Sequence, residues 1–131
     1  MEDEIKNKKE LTNKQLILIP KIEAYIEYML NVIVKLPRTE KFSIGNDYKL
    51  SLYNMLKQTL YINKISRNEN KKETLKLINK IDAELNCQRI YLRIMKKQNW
   101  LDIKKFDVAM TKIYEIGTII GGLTKLYAKN Y

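Results

Sequence analysis

Apolar side chains recur three and four residues apart over four stretches of the chain, which is the spacing of one face of an α-helix. These stretches cover about 16–36, from near Ser43 or Asn46 to about 66, about 70–98 and about 103–128. No stretch shows the alternation that is typical of a β-hairpin, and no internal repeat is evident. The pattern therefore predicts an all-α fold.

The apolar face of each predicted helix is nearly unbroken, and Gln88 is the polar exception in the third helix. The faces consist of Leu18, Ile22, Tyr25, Met29, Val32 and Leu36; Tyr48, Leu52, Met55, Leu56, Thr59 and Ile62; Ile78, Ile81, Leu85, Gln88, Leu92 and Met95; and Phe106, Ala109, Ile113, Ile116, Ile120, Leu123 and Tyr127. Four such faces predict one core that the helices share.

Prolines and polar segments mark where the helices begin and end. Pro20 suits the first turn of the first helix, where its missing N–H does no harm. Pro37 ends that helix, because the residue before a proline is pushed out of the α region, and a loop follows. The polar segment 66–72 and the turn 98–102, with Asp102 as a candidate N-cap, separate the other helices. Connections this short predict an antiparallel up-down-up-down four-helix bundle.

The length of 131 residues fits a single domain. We expect residues 1–15 to form a flexible or partly helical tail, because they are polar and offer few anchors, and residues 16–131 to form the bundle domain. The first ten residues lack the basic start and apolar core of a signal peptide. No apolar run reaches the ~18–20 residues of a membrane span. We therefore expect a cytoplasmic protein without a membrane anchor.

The residue types present exclude most catalytic chemistry. The chain has no histidine and one cysteine, Cys87, so Ser–His and Cys–His nucleophile pairs and the usual zinc sites cannot form. No pair of carboxylates stands apart from ordinary surface charge as a general acid and base. We expect no enzyme activity, no metal and no cofactor. A small enzyme or toxin-like protein is the alternative, and no set of residues supports it.

Positive charge is concentrated where the third helix meets the fourth. The chain carries 25 Lys and Arg against 15 Asp and Glu, a net charge of +10. Half of this net charge lies within 87–105, a segment that contains six cationic residues and one acidic residue, Asp102. We call these six residues the basic cluster: Arg89, Arg93, Lys96, Lys97, Lys104 and Lys105. The four on the third helix share one sector, and the two on the fourth lie at a helix N-terminus, where the dipole disfavours cations.

Helix stability does not explain the basic cluster, since like charges four residues apart repel. We therefore expect a ligand or partner outside these helices to compensate the repulsion. Guanidinium and ammonium groups suit contact with phosphates more than the reading of bases, and Arg38 and Lys41 would extend such a surface. Tyr91 and Trp100 lie nearby and would either stack on bases or pack in a core or interface. A solvated surface and a docking site for an acidic protein are the alternatives to phosphate binding.

Three of the four glycines in the chain, Gly117, Gly121 and Gly122, interrupt the fourth helix. Each costs a helix interior about 1 kcal/mol relative to alanine. Because the apolar pattern continues through them, they are not helix caps. We expect close packing at these glycines to compensate, either within the bundle or against a neighbouring subunit or partner.

The third helix carries a second apolar stripe, formed by Cys87, Ile90, Tyr91 and Ile94. It lies roughly opposite the sector of Arg89 and its neighbours and away from the main apolar face. A bundle helix needs one buried stripe, so two stripes indicate burial on both sides. This pattern favours a homo-oligomer or a surface for a partner protein.

Three longer segments occur in an informative order. They are IPKIEAYIEYMLNVIVKLPRTEKFSIGN (19–46), LNCQRIYLRIMKKQNWLDIKKF (85–106) and IGTIIGGLTK (116–125). They resemble the accessory variability determinant (Avd) family of diversity-generating retroelements: its first helix with the following Phe-Pro-Arg and Arg-Phe-Thr-Leu-Gly, its Leu-Arg-x-Leu-x-Arg-Leu segment, and its closing Ile-Gly-x-x-Leu-Gly-Gly-Trp-x-Lys. This chain departs from the family at three positions. Leu36 stands where the family has phenylalanine, Lys41 where it has arginine, and Leu123 where it has tryptophan.

This resemblance covers about 17–127 and implies a non-catalytic, positively charged four-helix bundle. Family members assemble as a pentameric barrel. They bind the retroelement's reverse transcriptase and template RNA, and so support error-prone cDNA synthesis. The chain also resembles, more distantly, the four-helix proteins encoded within ribosomal RNA intervening sequences. A structural or interaction bundle without a nucleic-acid role is therefore the alternative.

Overall fold

The computed structural model describes residues 2–64 and 71–130, and this part of the chain is helical apart from short turns. Four long helices and one short helix occur in the order α1 Glu2–Ile33, α2 Arg38–Lys41, α3 Ile44–Lys64, α4 Lys71–Lys97 and α5 Ile103–Asn130. The predicted all-α fold class is confirmed.

The four long helices form a bundle in which each packs against the next and α5 returns to α1. α1 and α5 run in opposite directions, since Lys14 lies beside Gly122 and Tyr28, further along α1, lies beside Lys112. Contacts of the other neighbouring pairs show the same reversal. This order and these directions fit the predicted up-down-up-down topology.

The predicted apolar faces form the core of the bundle. Every member of the four faces is buried except Leu56 and Phe106, which are half-buried and pack against the core. Three tyrosines are among the largest fully buried side chains: Tyr25, Tyr48 and Tyr127. The helical period of the apolar positions therefore determines which side of each helix faces inward.

A chain of hydrogen bonds crosses the core and explains why Gln88 stands in an apolar series. The Tyr25 hydroxyl on α1 donates to Oε1 of Gln88 on α4 at 2.7 Å, and Nε2 of Gln88 donates to Oγ of Ser51 on α3 at 2.9 Å. The Ser51 hydroxyl donates to the Glu84 carboxylate, and the Tyr48 hydroxyl bonds to that of Tyr25. Buried polar groups are stable when they are hydrogen-bonded, so this chain of bonds joins three helices.

The first helix is longer than the sequence predicts. α1 begins at Glu2, so the segment expected to be a flexible or partly helical tail continues the helix. Pro20 consequently lies inside α1 and not in its first turn, which corrects that prediction. α5 extends to Asn130, and Lys14 of α1 lies beside Gly122 of α5. Packing on a neighbour stabilises a helix more than propensity does, which offsets the missing proline N–H.

The connection from α1 to α3 contains a helix where a loop is predicted. α1 ends at Ile33, and α2 follows Pro37, whose carbonyl oxygen accepts bonds from the N–H groups of Glu40 and Lys41 at 2.8 and 3.0 Å. A β-carbon at Gly45 would lie 3.0 Å from Cγ2 of Ile33 and 3.2 Å from the carbonyl oxygen of Glu40. Gly45 therefore allows α3 to begin close against the end of α1.

The turn between α4 and α5 ends α4 with two specific hydrogen bonds. Asn99 has a positive φ of 63°, and its N–H bonds to the carbonyl oxygen of Lys96 at 3.0 Å. The N–H of Trp100 bonds to the carbonyl oxygen of Met95 at 2.9 Å. Together these bonds form the Schellman motif, which satisfies the last carbonyl groups of a helix.

The other helix boundaries agree with the sequence where the structure describes them. Asp102 caps α5 as predicted, since its Oδ1 accepts a bond of 2.8 Å from the N–H of Lys105. α3 begins at Ile44, between the two predicted starts. The predicted end of the second helix near 66, the predicted start of the third near 70 and most of the polar segment between them lie outside the described residues.

Candidate nucleic-acid interface

The basic cluster follows α4 to its end and continues into the first turn of α5. Lys96 and Lys97 form the last turn of α4, and Lys104 and Lys105 lie in the first turn of α5, after the Schellman motif and the Asp102 cap. The structure therefore brings these four cations to one end of the bundle. Arg89 lies eight residues before Lys97, which is about 12 Å along the helix axis.

Most cations of the cluster extend into solvent without an anionic partner. Arg93, Lys97 and Lys104 are exposed and form no ion pair or hydrogen bond with the described side chains. Lys96 is exposed as well, and its Nζ lies 4.5 Å from the centre of the Phe106 ring. A cation–π contact orients an ammonium group but leaves its charge in place.

The two remaining members have polar partners. Nζ of Lys105 lies 4.0 Å from Oδ2 of Asp102, and both side chains are accessible to solvent, so this pair is weak. Arg89 is half-buried and donates from Nη1 to Oδ1 of Asn86. It also reaches α5, where its Nη2 lies next to Gly117. An amide partner holds the guanidinium without neutralising it.

Ion pairs are few among the side chains that the structure describes. Besides Lys105 and Asp102, a pair joins Lys21 and Glu115 at 3.1 Å, and it involves no member of the basic cluster. Cations that lack carboxylate partners give a surface its strongest attraction for polyanions. The cluster therefore keeps nearly all of its charge available to an external ligand.

Arg38 and Lys41 lie at the same end of the bundle as the α4–α5 turn, because α1 and α4 both run antiparallel to α3. Arg38 is exposed and Lys41 is half-buried. Neither forms an ion pair with a described carboxylate. Their position on α2 fits the predicted extension of the cationic surface.

Among the residues that the structure describes, no backbone of a neighbouring helix lies close to the three glycines of α5. A β-carbon at Gly121 would have no described atom of a neighbouring helix within 4 Å. At Gly117 it would meet Nη2 of Arg89 at 3.1 Å, and at Gly122 it would meet Nζ of Lys14 at 2.9 Å. The expected packing within the bundle is therefore not what the structure has, because the neighbours are the ends of long side chains and not backbone. A contact with another subunit at these positions stays a prediction.

The aromatic residues near the basic cluster pack inward. The Tyr91 ring lies between α4 and α3, with its centre 6.2 Å from that of Tyr48, and Trp100 packs against the core. A hydrogen bond with the Cys87 thiol, together with partial burial, raises the pKa of Tyr91. Packing is thus the role that the geometry gives these two residues, and base stacking is not needed to explain them.

The second stripe of α4 is open to solvent at Ile90 and Ile94, which are 47% and 39% exposed, and at Cys87. A similar surface on the adjacent helix α3 is not among the features predicted from the sequence. Its exposed apolar side chains are Leu50, Tyr53, Leu60 and Tyr61. Their spacing of three, seven and one residues along one side of α3 was the signal that could have identified them. Two neighbouring helices thus expose apolar side chains.

These features define a class: a basic four-helix bundle whose cations and apolar side chains are both open to partners. The chain belongs to the bAvd-like family, whose family model matches residues 16–127. Membership of this family indicates an accessory protein. No significant match was found among curated proteins or among solved structures. None of the described helices is long and apolar enough to cross a lipid bilayer.

Proposed function

We propose that this protein is a non-catalytic accessory protein of a diversity-generating retroelement, and that it binds nucleic acid and the reverse transcriptase during mutagenic cDNA synthesis. Membership of the bAvd-like family over residues 16–127 supports the accessory role. The observation that carries nucleic-acid binding is the basic cluster, whose charge the described carboxylates leave almost entirely unpaired. Template RNA and cDNA both present the phosphates that such a surface contacts.

The two kinds of cation would act differently on a phosphate backbone. Arg89 and Arg93 offer planar forks that hold two phosphate oxygens at once, whereas the four lysines supply mobile point charges. Arg38 and Lys41 would lengthen the contact at the same end of the bundle. Because contacts of this kind carry no sequence information, affinity would depend strongly on salt and little on base sequence.

Protein partners would use the apolar side chains on the outer faces of α3 and α4. Exposed apolar patches on one molecule commonly mark protein–protein contacts, and Ile90 and Ile94 support such a contact here. The homopentamer that the family resemblance implies would bury part of this surface, and the reverse transcriptase would bind the assembled protein. Gly121, with open space around it, suits the approach of another subunit.

The nucleic-acid role is tested by changing four cations together: Arg89, Arg93, Lys96 and Lys97, each to glutamine. Binding of template RNA and of single-stranded DNA is then measured over a salt series. Each lost phosphate contact flattens the slope of log affinity against log salt by about 0.7–0.9. A matched control changes four exposed lysines at the other end of the bundle to glutamine: Lys57, Lys64, Lys72 and Lys76. An unchanged slope and affinity in the first variant, or an equal loss in the control, would remove this assignment.

The second candidate function is a structural or interaction bundle of the ribosomal intervening-sequence type. The exposed apolar side chains of α3 and α4 favour it, since such surfaces suit a protein partner and involve no nucleic acid. The genes beside this one separate the two candidates. A neighbouring reverse transcriptase gene supports the retroelement role, and an enclosing ribosomal RNA insertion supports the alternative.

A further inference from the structure

Two glycines of α5 lie beneath cationic side chains that come from different neighbouring helices. Arg89 reaches Gly117 from α4, and Lys14 reaches Gly122 from α1; a β-carbon would lie 3.1 Å from Nη2 in the first case and 2.9 Å from Nζ in the second. At Gly121 no described atom of a neighbouring helix lies within 4 Å of a β-carbon. The absence of a side chain at 117 and 122 therefore leaves room for a cation at each position.

The guanidinium of Arg89 is both oriented and charged. Nη1 donates to Asn86 on the same helix, Nη2 lies against the α5 backbone at Gly117, and no described carboxylate pairs with the group. An arginine has five N–H donors, so donors remain for a ligand. Arg93, one turn further along α4, has no such contacts. A side chain that is already ordered loses less entropy when it binds.

We propose that Gly117 and Gly122 are positioning residues for phosphate binding. Gly117 lets Arg89 lie against α5 in the orientation that contacts a phosphodiester backbone, and Gly122 does the same for Lys14. The inference rests on the proposed nucleic-acid function and adds Lys14, on α1, to the residues that contact phosphate. The two glycines are five residues apart, which places the two cations about 7.5 Å apart along α5.

The test fills one glycine position at a time and measures binding of a short oligouridine over a salt series. Gly117→Leu occupies the space of the Arg89 guanidinium, and we expect it to remove one phosphate contact. The slope then flattens by about 0.7, the value for one contact with a single strand, so the affinity at 0.1 M salt falls about fivefold if the two proteins bind equally at 1 M salt. Gly122→Leu has the same effect through Lys14. Thr118→Leu, at an exposed position of α5, is the control and keeps the affinity, since no proposed phosphate or subunit contact involves Thr118.

Two further measurements separate positioning from damage to the fold. Leucine has a higher helix propensity than glycine, so Gly117→Leu is expected to raise the melting temperature while it weakens binding. In the Arg89→Gln background, Gly117→Leu should cause no further loss, because the group through which it acts is gone. An equal loss from Gly117→Leu and Thr118→Leu, or a loss that persists in the Arg89→Gln background, would overturn the positioning role.

The single variant Arg89→Gln distinguishes failure of this inference from failure of the proposed function. If Arg89→Gln binds oligouridine as the unchanged protein does, Arg89 contacts no phosphate and both statements about it fail. If Arg89→Gln weakens binding and Gly117→Leu does not, the nucleic-acid function stands and the positioning role alone is wrong.

Discussion

The carboxylate of Asp102 accepts a hydrogen bond of 2.8 Å from the backbone N–H of Lys105 and lies 4.0 Å from the ammonium group of the same residue. Asp102 therefore caps α5 and offsets part of the positive charge at its N-terminus. We expect Asp102→Ala to lower the free energy of unfolding by about 1 kcal/mol, because one N–H loses its partner. Denaturant unfolding of the variant measures this loss.

Asp102→Asn separates the cap from the charge. Asparagine caps a helix as well as aspartate does, so this variant should keep most of the stability. It should also bind RNA more tightly, since a negative charge beside Lys105 is gone. Asp82→Ala, at an exposed position inside α4, is the control and should change the free energy of unfolding little. If Asp102→Asn lost as much stability as Asp102→Ala, charge and not capping would be the cause.

The positive φ of 63° at Asn99 predicts an ordering of substitutions at this position. Asn99→Gly should keep or raise the stability, because glycine adopts the left-handed region without strain. Asn99→Val should lower it by about 1–2 kcal/mol, the cost of that region for a residue with a β-carbon. Asn54→Val, at an exposed helical position of α3, serves as the control in thermal unfolding. A valine at 99 that is tolerated as well as one at 54 would contradict the Schellman motif.

Removal of the Tyr25 hydroxyl should destabilise the bundle more than removal of an exposed one. Tyr25→Phe leaves Oε1 of Gln88 buried without the donor that lies at 2.7 Å, and a buried group left unpaired costs about 1–3 kcal/mol. Tyr114 is 72% exposed, so Tyr114→Phe should have little effect. Urea unfolding of both variants tests the prediction, and equal stabilities would contradict it.

Alkaline pH should destabilise the protein through two buried tyrosines, Tyr25 and Tyr48. Burial raises the pKa of Tyr25 and that of Tyr48 above the ordinary value of about 10. The folded state then keeps protons that the unfolded state releases, so this stability is complete below about pH 10 and declines as the pH rises further. In the double variant Tyr25→Phe, Tyr48→Phe, the free energy of unfolding should fall less steeply as the pH rises above 10. A decline as steep as that of the unchanged protein would exclude these tyrosines as its source.

The exposed isoleucines of α4 should affect assembly and not folding. Ile90→Gln with Ile94→Gln removes side chains that are 47% and 39% exposed, so the melting temperature of a single subunit should change little. The mass in sedimentation should fall if these residues join subunits. Leu92→Ala, at a fully buried position between them, should instead cost about 2–5 kcal/mol. A protein that is monomeric before the change would contradict the subunit contact.

The sequence predicts the inward faces well because burial on a helix depends on a local period. The series from Ile78 to Met95 is buried throughout, Gln88 included, and spacing alone identifies it. The end of α4 and the cap of α5 are predictable for the same reason, since capping involves residues a few positions apart. The basic cluster is also predictable as a set of charges close together in sequence.

The remaining features depend on contacts between residues far apart in sequence. α1 contains Pro20 and begins at Glu2, and its Lys14 lies beside Gly122 of α5, a neighbour that a local pattern does not reveal. The side chain beside Gly117 is that of Arg89, 28 positions earlier in the chain, and the side chain beside Gly122 is that of Lys14, 108 positions earlier. The hydrogen-bonded partners of Gln88 lie on two other helices, so sequence predicts its burial but not its role.

The hydrogen bond between Tyr25 and Gln88 has a consequence for the surface as well as for the core. Successive residues of an α-helix are about 100° apart around its axis, so Arg89 points in a direction that is fixed relative to Gln88. The bond of 2.7 Å at Gln88 therefore acts with the buried apolar face of α4 to resist rotation of this helix about its axis. The interior amide thus helps to fix the direction in which the arginines point outside.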